Sequence, residues 1–407
     1  MSGVLSLNPY LQLQTVGDGS EEFILSAPQK GRGLQAVRIE KALRPELFEL
    51  FAELSSTSLD FLQPESDISD SDRRFLAESG ILVEPNAVPK LPSFACDLSD
   101  VNPVSVTGGP LQVNSHFRFD PFDLSTFTAK IRDAHLSPFR PIAWTRSSVF
   151  GVDMGYWLEP SDAAVISCFS PGEEVGPGLD SELRGRLLAA EILVDNDLTE
   201  QTNQDRQRSL DSASDSFRSK GYGVIEWLLP THQMKAYRRF YREYVSQGFM
   251  PFGDNQVPNR YRQHNEPLAA FLHHRLQPLM SIMAGEEVIP SYVYAASYKG
   301  GAVLDPHVDR PQCEYSISFQ VDYEPEASDH LSPWALCVEP LGGRERHEIN
   351  WGTIQPEAAQ KFNLASGDAL FYKGCELVHY RDALPEGHRS TSLFFHFVYA
   401  DFAGNLD

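Results

Sequence analysis

The strongest constraint on the fold is a change of period near residue 285. Before it, THQMKAYRRFYREYV spaces Met234, Tyr237, Tyr241, Tyr244 and Val245 as one helical stripe, with Thr231 the expected N-cap. PLAAFLHHRLQPLMSIMAGE reads as a second helix, opened by Pro267, kinked at Pro278 and closed by Gly285. After it come strand signals only. CEYSISFQVDY alternates Tyr315, Ile317, Phe319, Val321 and Tyr323 against Ser316, Ser318 and Gln320, and PSYVYAASY sets Tyr292, Tyr294 and Tyr298 on one face. WALCVEP, DALFY, CELVHY and STSLFFHFVYA follow between tight turns. Helices followed by many short strands predict an α+β unit over residues 211–407: a double-stranded β-helix, or jelly roll, with flanking helices.

The preceding region reads as mixed α/β. Residues 1–100 hold two helical stretches, PELFELFAEL and SDSDRRFLAESGILVEP, the second ended by Gly80 and followed by a short strand. That order fits a small winged-helix-like module, or a packing domain with no binding role. Residues 101–210 predict a helix after Pro121 and strands at TRSSVFGVDMGYWLEP and AAVISCF. DNDLTEQTNQDRQRSLDSASDS, from Asp195 to Ser216, has almost no apolar periodicity and reads as a linker or a solvent-facing helix; the main boundary is drawn there.

Composition limits the function classes. The 34 Lys+Arg against 56 Asp+Glu give a net charge of −22, a field that repels phosphate backbones, so no nucleic-acid partner is expected. Five cysteines without a C-x-x-C pair fit reduced thiols, and the start lacks a basic segment followed by an apolar run, so a cytoplasmic protein is expected. No window is apolar enough to predict a membrane span.

The chemistry lies between Tyr298 and Thr391. Roughly two His-x-acid matches are expected by chance in a chain of this composition, and it has two. His264-Asn265-Glu266 precedes Pro267, where an acid serves a helix N-terminus. His307-Val308-Asp309 follows a glycine pair and leads into the alternating strand; at i and i+2 both side chains share a strand face. His379 follows on a later strand, in ELVHYRD. Two imidazoles and one carboxylate on one face of an iron ion leave positions open for oxygen chemistry. Arg389 opens the last strand; Thr391 shares its face, while Ser390 and Ser392 point the other way.

On these residues, roughly 215–400, the chain resembles the Fe(II)/2-oxoglutarate-dependent dioxygenases, on their prolyl-hydroxylase-like side. The resemblance implies His307, Asp309 and His379 as iron ligands. It implies Arg389, assisted by Thr391, as anchor for the distal carboxylate of 2-oxoglutarate, with Tyr298 contacting the same cosubstrate. Prolyl hydroxylases usually carry lysine where Arg389 stands. The implied reaction consumes 2-oxoglutarate and O2, releases succinate and CO2, and hydroxylates an unactivated C–H bond. Related halogenases replace the carboxylate, so Asp309 favours hydroxylation.

Substrate contacts are expected from Arg310, Tyr292, Tyr294 and Arg381, with Trp334 and Trp351 as further pocket candidates. His396 reads as a core histidine and His388 as a loop or supporting residue, while His116 has no partner at metal spacing. The loops at 248–265 and 323–333 are candidate lids. The substrate class is an amino acid, a peptide or a small metabolite, and the N-terminal block leaves a larger substrate or a homodimer open. The competing readings are a cupin-type metalloenzyme without 2-oxoglutarate and a non-catalytic jelly-roll binding module.

Overall fold

The computed structural model describes residues 5–8, 11–15, 21–29, 32–56, 68–84, 92–105, 109–121, 140–328, 330–340 and 358–406. The helix expected after Pro121 and the pocket candidate Trp351 lie outside them.

The first block contains β1 (Ser6–Leu7), β2 (Gln12–Thr15), β3 (Glu22–Gln29), β4 (Gly33–Glu40), α1 (Pro45–Ser56), α2 (Asp70–Glu78) and β5 (Leu82–Val83). Both expected helices are present, and Ser69 caps the second by accepting from the Asp72 amide. The antiparallel β2-β3-β4 sheet is an addition to the sequence reading. It turns Phe23, Leu25 and Ile39 onto Leu47, Phe51 and Leu76, forming a core of its own.

Next come β6 (Leu111–Val113), β7 (Arg118–Asp120), β8 (Ile142–Arg146), β9 (Asp153–Trp157), α3 (Pro160–Ile166), β10 (Glu174–Val175), α4 (Ser181–Ala189) and β11 (Leu193–Val194). AAVISCF, expected as a strand, instead falls largely in α3, because Pro160 sits at the first turn and sets a helical φ. The polar stretch expected as linker or exposed helix is α5 (Asn196–Lys220). Its Leu210, Ala213 and Phe217 are buried, and this sparse spacing suffices to seat one face. Gly223 permits the seating: a Cβ there would collide with the Ala213 backbone. One cluster of buried side chains runs from Phe94 to Phe397 and crosses the boundary drawn at residue 210.

β12 (Tyr222–Ile225) leads to α6 (Thr231–Ser246), β13 (Arg260–His264) and α7 (Pro267–Ala284). Thr231 is the first helical residue, not the cap; Pro230 occupies the cap position without a side-chain bond. Glu266 caps α7, accepting from the amides of Leu268 and Ala269, and Gly285 closes it in the left-handed region. No helix among the described residues is long and apolar enough to cross a membrane.

Eight strands follow: β14 (Val288–Lys299), β15 (Leu304–His307), β16 (Tyr315–Glu324), β17 (Leu336–Pro340), β18 (Gln360–Phe362), β19 (Ala369–Tyr372), β20 (Leu377–Arg381) and β21 (Arg389–Tyr399). With β12 and β13 they form two antiparallel sheets, β12-β19-β16-β21-β14-β13 and β15-β20-β17-β18. On β21 the odd-numbered Leu393, Phe395 and Phe397 join the cluster that includes buried residues of α6 and α7. Phe394 faces the other way, joining Tyr298, Leu304 and Trp334 between the sheets. One face of the large sheet therefore carries the helices, and the opposite face lines a cavity.

Candidate metal centre

Strand pairing brings the three expected ligands together. His307 on β15 lies directly across from His379 on β20, and Asp309 follows two residues after His307, held by its amide on the Gly374 carbonyl at 2.9 Å. Asp309 Oδ1 stands 3.4 Å from His379 Nε2 and 3.8 Å from His307 Nε2. The ligand atoms of all three lie within 4.8 Å of one another, the spacing of donors around one ion.

The next layer of contacts orients them. His307 Nδ1 donates to the Asp305 carbonyl at 2.8 Å and His379 Nδ1 to that of Leu377 at 3.0 Å. A carbonyl only accepts, so each ring carries its proton on Nδ1 and turns a lone pair on Nε2 toward Asp309. Ser316 donates to Asp309 Oδ2 at 3.2 Å and meets His396 Nδ1 at 2.9 Å. Burial pushes His307 down to about 3, so it is neutral. Burial also opposes charge on His379, but the Asp309 carboxylate outweighs it and raises that imidazole. Burial works against ionised Asp309 too, and the two histidines nevertheless hold it below the usual carboxylate range. A cation held by both side chains would displace any proton that Asp309 favours on His379.

The donor set is two nitrogens and one carboxylate oxygen grouped on one side of a cavity of about 520 Å³, a fit to a divalent transition metal with open positions. Tyr292, Tyr294, Tyr298, Arg310 and His396 also line this cavity. His396 is buried, as expected of a core histidine, but on the cavity side.

Arg389 and Thr391 require correction. The even-numbered face of β21 looks into the cavity, so these two odd-numbered residues look away. Arg389 is exposed and borders a separate hollow beside Lys299, Asn259 and Glu386. Thr391 is buried and donates to Ser297 Oγ at 2.9 Å. His388 meets the Tyr323 hydroxyl at 2.8 Å, and His116 is exposed, away from the cavity.

Arg381 occupies the inner position instead. It follows His379 by two residues on β20, shares its face, and lies across from the cavity-lining Leu304. The side chain is 1% exposed. Its guanidinium packs over Trp334 at 4.6 Å, and Nη1 donates to the Trp334 carbonyl at 2.7 Å. Nε and Nη2 are buried with no hydrogen-bond partner, and no carboxylate among the described residues pairs with it. Tyr298 abuts the same indole edge-on at 4.9 Å. The sequence reading missed Arg260, on β13, in a stretch taken as a lid. Arg260 lines the cavity, is paired with Asp254 at 2.6 Å, and lies 3.4 Å from the Tyr298 hydroxyl. The signal was the period-two spacing of Arg260, Arg262 and His264. Of the two candidate lids, 248–265 reaches the cavity through Gln256 and Arg260, and 323–333 contributes no lining residue.

No protein-family model matches the chain, and no curated protein does. Similar solved structures include a prolyl-4-hydroxylase from Pseudomonas putida (15% identity, TM-score 0.36, covering 47% of this chain and 98% of that one). A prolyl hydroxylase from Trichoplax adhaerens, solved with a hypoxia-inducible-factor peptide, is 12% identical with TM-score 0.38, covering 48% and 92%. HygX from Streptomyces hygroscopicus, solved with nickel and 2-oxoglutarate, is 14% identical with TM-score 0.35, covering 49% and 88%. Likeness of this size assigns neither family nor activity.

Proposed function

We propose that the chain is an Fe(II)- and 2-oxoglutarate-dependent oxygenase that hydroxylates a C–H bond of an amino acid, peptide or small metabolite. In this reading residues 211–407 form the catalytic unit as a double-stranded β-helix, with the alternation of β14 to β21 between two sheets in support. Residues 1–100 and 101–210 precede it as accessory regions. The observation that carries the reading is the pairing, on one inner face of β20, of a metal-type ligand and a buried guanidinium without an anion.

His307, Asp309 and His379 would hold the iron, which when bound supplies the oxidising chemistry at the expense of 2-oxoglutarate and O2. The chain's own contribution is binding and positioning. Arg381, not Arg389, would receive the distal carboxylate, with Tyr298 beside it; a guanidinium edge fits a carboxylate with two parallel bonds. Leu304, Leu336 and Phe394 keep that end of the cavity apolar, so a dicarboxylate is held at its two ends only. A cupin-type enzyme without 2-oxoglutarate leaves the orphaned Arg381 nitrogens unexplained.

Anaerobic addition of Fe(II) and 2-oxoglutarate should produce a weak visible charge-transfer band. Aerobic incubation with amino acids, peptides and cell extracts should yield succinate. Absence of the band together with absence of 2-oxoglutarate binding to the metal-loaded protein would overturn the reading.

A further inference from the structure

The cavity's mouth carries a charge opposite to that of the molecule. Of the fifteen residues that line it, Asp309 is the only carboxylate, and it belongs to the metal cluster; the fixed cations are Arg260 and Arg310. Arg260 is neutralised by Asp254. Arg310 is not: it is exposed at the rim, and no carboxylate among the described residues lies within ion-pair distance of it. Its guanidinium is set above the Tyr292 ring at 4.4 Å, and its Nε donates to the Tyr292 hydroxyl at 3.1 Å. Its side-chain hydrogen-bond partners are the Tyr292 hydroxyl and the Cys313 thiol, neither of them an anion, so the two-pronged edge of its terminal nitrogens holds no carboxylate among the described residues.

The wall below that edge is aromatic. His264 packs on Tyr292 at 4.7 Å and His396 at 4.6 Å. β13 presents Arg260, Arg262 and His264 across from Tyr298, Ala296 and Tyr294. In a chain with net charge −22, a rim whose one unpaired charge among the described residues is positive selects against cations and draws anions in.

Resting on the proposed oxygenase reading, we infer that the substrate carries a carboxylate, held at the cavity mouth by the terminal edge of Arg310, whose direction Tyr292 presets. A single two-pronged edge matches the two oxygens of a carboxylate. The Tyr292 hydroxyl and ring fix the guanidinium, so its direction is preset. Arg310 follows the metal ligand Asp309, so its anchor point is tied to the metal cluster.

The test compares N-acetyl-L-tyrosine with N-acetyl-L-tyrosinamide, which share ring and amide and differ in the charge. Binding to the full-length, Zn(II)-loaded protein is followed by calorimetry, with 2-oxoglutarate titrated separately into the same preparation. The acid should bind about tenfold more tightly than the amide, as expected for one charge-assisted fork. Arg310→Gln should remove that preference, and Lys299→Gln, on the outer face, should keep it. Equal binding of acid and amide, no measurable binding of the acid, or a preference that survives in Arg310→Gln would overturn the inference. Failure of 2-oxoglutarate to bind while the acid preference persists would overturn the oxygenase reading alone.

Discussion

Replacing Arg381 with methionine should move two measurable quantities in opposite directions. The wild-type guanidinium is 1% exposed, makes one hydrogen bond at 2.7 Å, stacks on Trp334 and leaves Nε and Nη2 without partners. A buried charge in that state costs several kcal/mol of desolvation, against about 1.5–3 kcal/mol for the one charge-assisted bond. Burial accordingly pulls the Arg381 pKa below its ordinary value. A methionine of similar length fills the space without the charge, so the ligand-free protein should gain roughly 1–4 kcal/mol in urea unfolding. The same change removes the anion's partner, and truncating one side of a buried charge pair costs roughly 2–5 kcal/mol, or about 30- to 5,000-fold in affinity. Titration of 2-oxoglutarate into Co(II)-loaded protein reads this loss, and Arg389→Ala should change neither quantity. The reasoning fails if Arg381→Met is less stable without ligand and binds 2-oxoglutarate as wild type, or if Arg389→Ala abolishes that binding.

The remaining expectations concern the metal cluster and its supports. Metal affinity should fall about tenfold per pH unit once the medium is acidic enough to protonate His379, and because Asp309 raises that histidine the fall should begin above the ordinary histidine value of 6.5. By the same linkage the metal-free protein holds stability from this proton that is complete below 6.5 and is lost as pH rises through the raised value, so over that interval the apo melting temperature should fall while the Co(II)-loaded one stays level. Gly374→Ala should cut Co(II) affinity at least about tenfold, since a Cβ there would meet Asp309 Oδ2 and the Cys313 carbonyl; unchanged affinity would show that Asp309 can shift freely. Glu266→Ala should cost about 2–4 kcal/mol in urea unfolding by stripping the cap of α7 and the partner of the buried Tyr241 hydroxyl, whereas a loss under 1 kcal/mol would place the helix start under other control.

What the sequence made legible and what it hid divide along strand phase. The pairing of His307 with Asp309 was readable from their i, i+2 spacing, although β15 ends at His307 and the Gly374 carbonyl holds Asp309; His379 joins them through the β15–β20 register. The helices were readable from their stripes, and Glu266 as a cap from the proline that follows it. Arg389 was hidden because counting onward from His379 crosses the connection 382–388 into the other sheet, where a one-residue change inverts every side chain. Composition of the two phases of β21 held the answer. Beyond Thr391 one phase is apolar (Leu393, Phe395 and Phe397), while Ser390, Ser392, Phe394 and His396 in the other are mixed. A sheet between helices and a cavity turns its more apolar phase to the helices, because large apolar side chains gain most from burial there. Arg389 is odd-numbered and belongs to the helix-side phase, where a charge at the strand's end escapes into solvent. Arg381 is in phase with His379, so the register that brings His379 beside Asp309 also aims that guanidinium inward. Its burial with Nε and Nη2 unpartnered is the reason the proposed function sets the distal carboxylate of 2-oxoglutarate there.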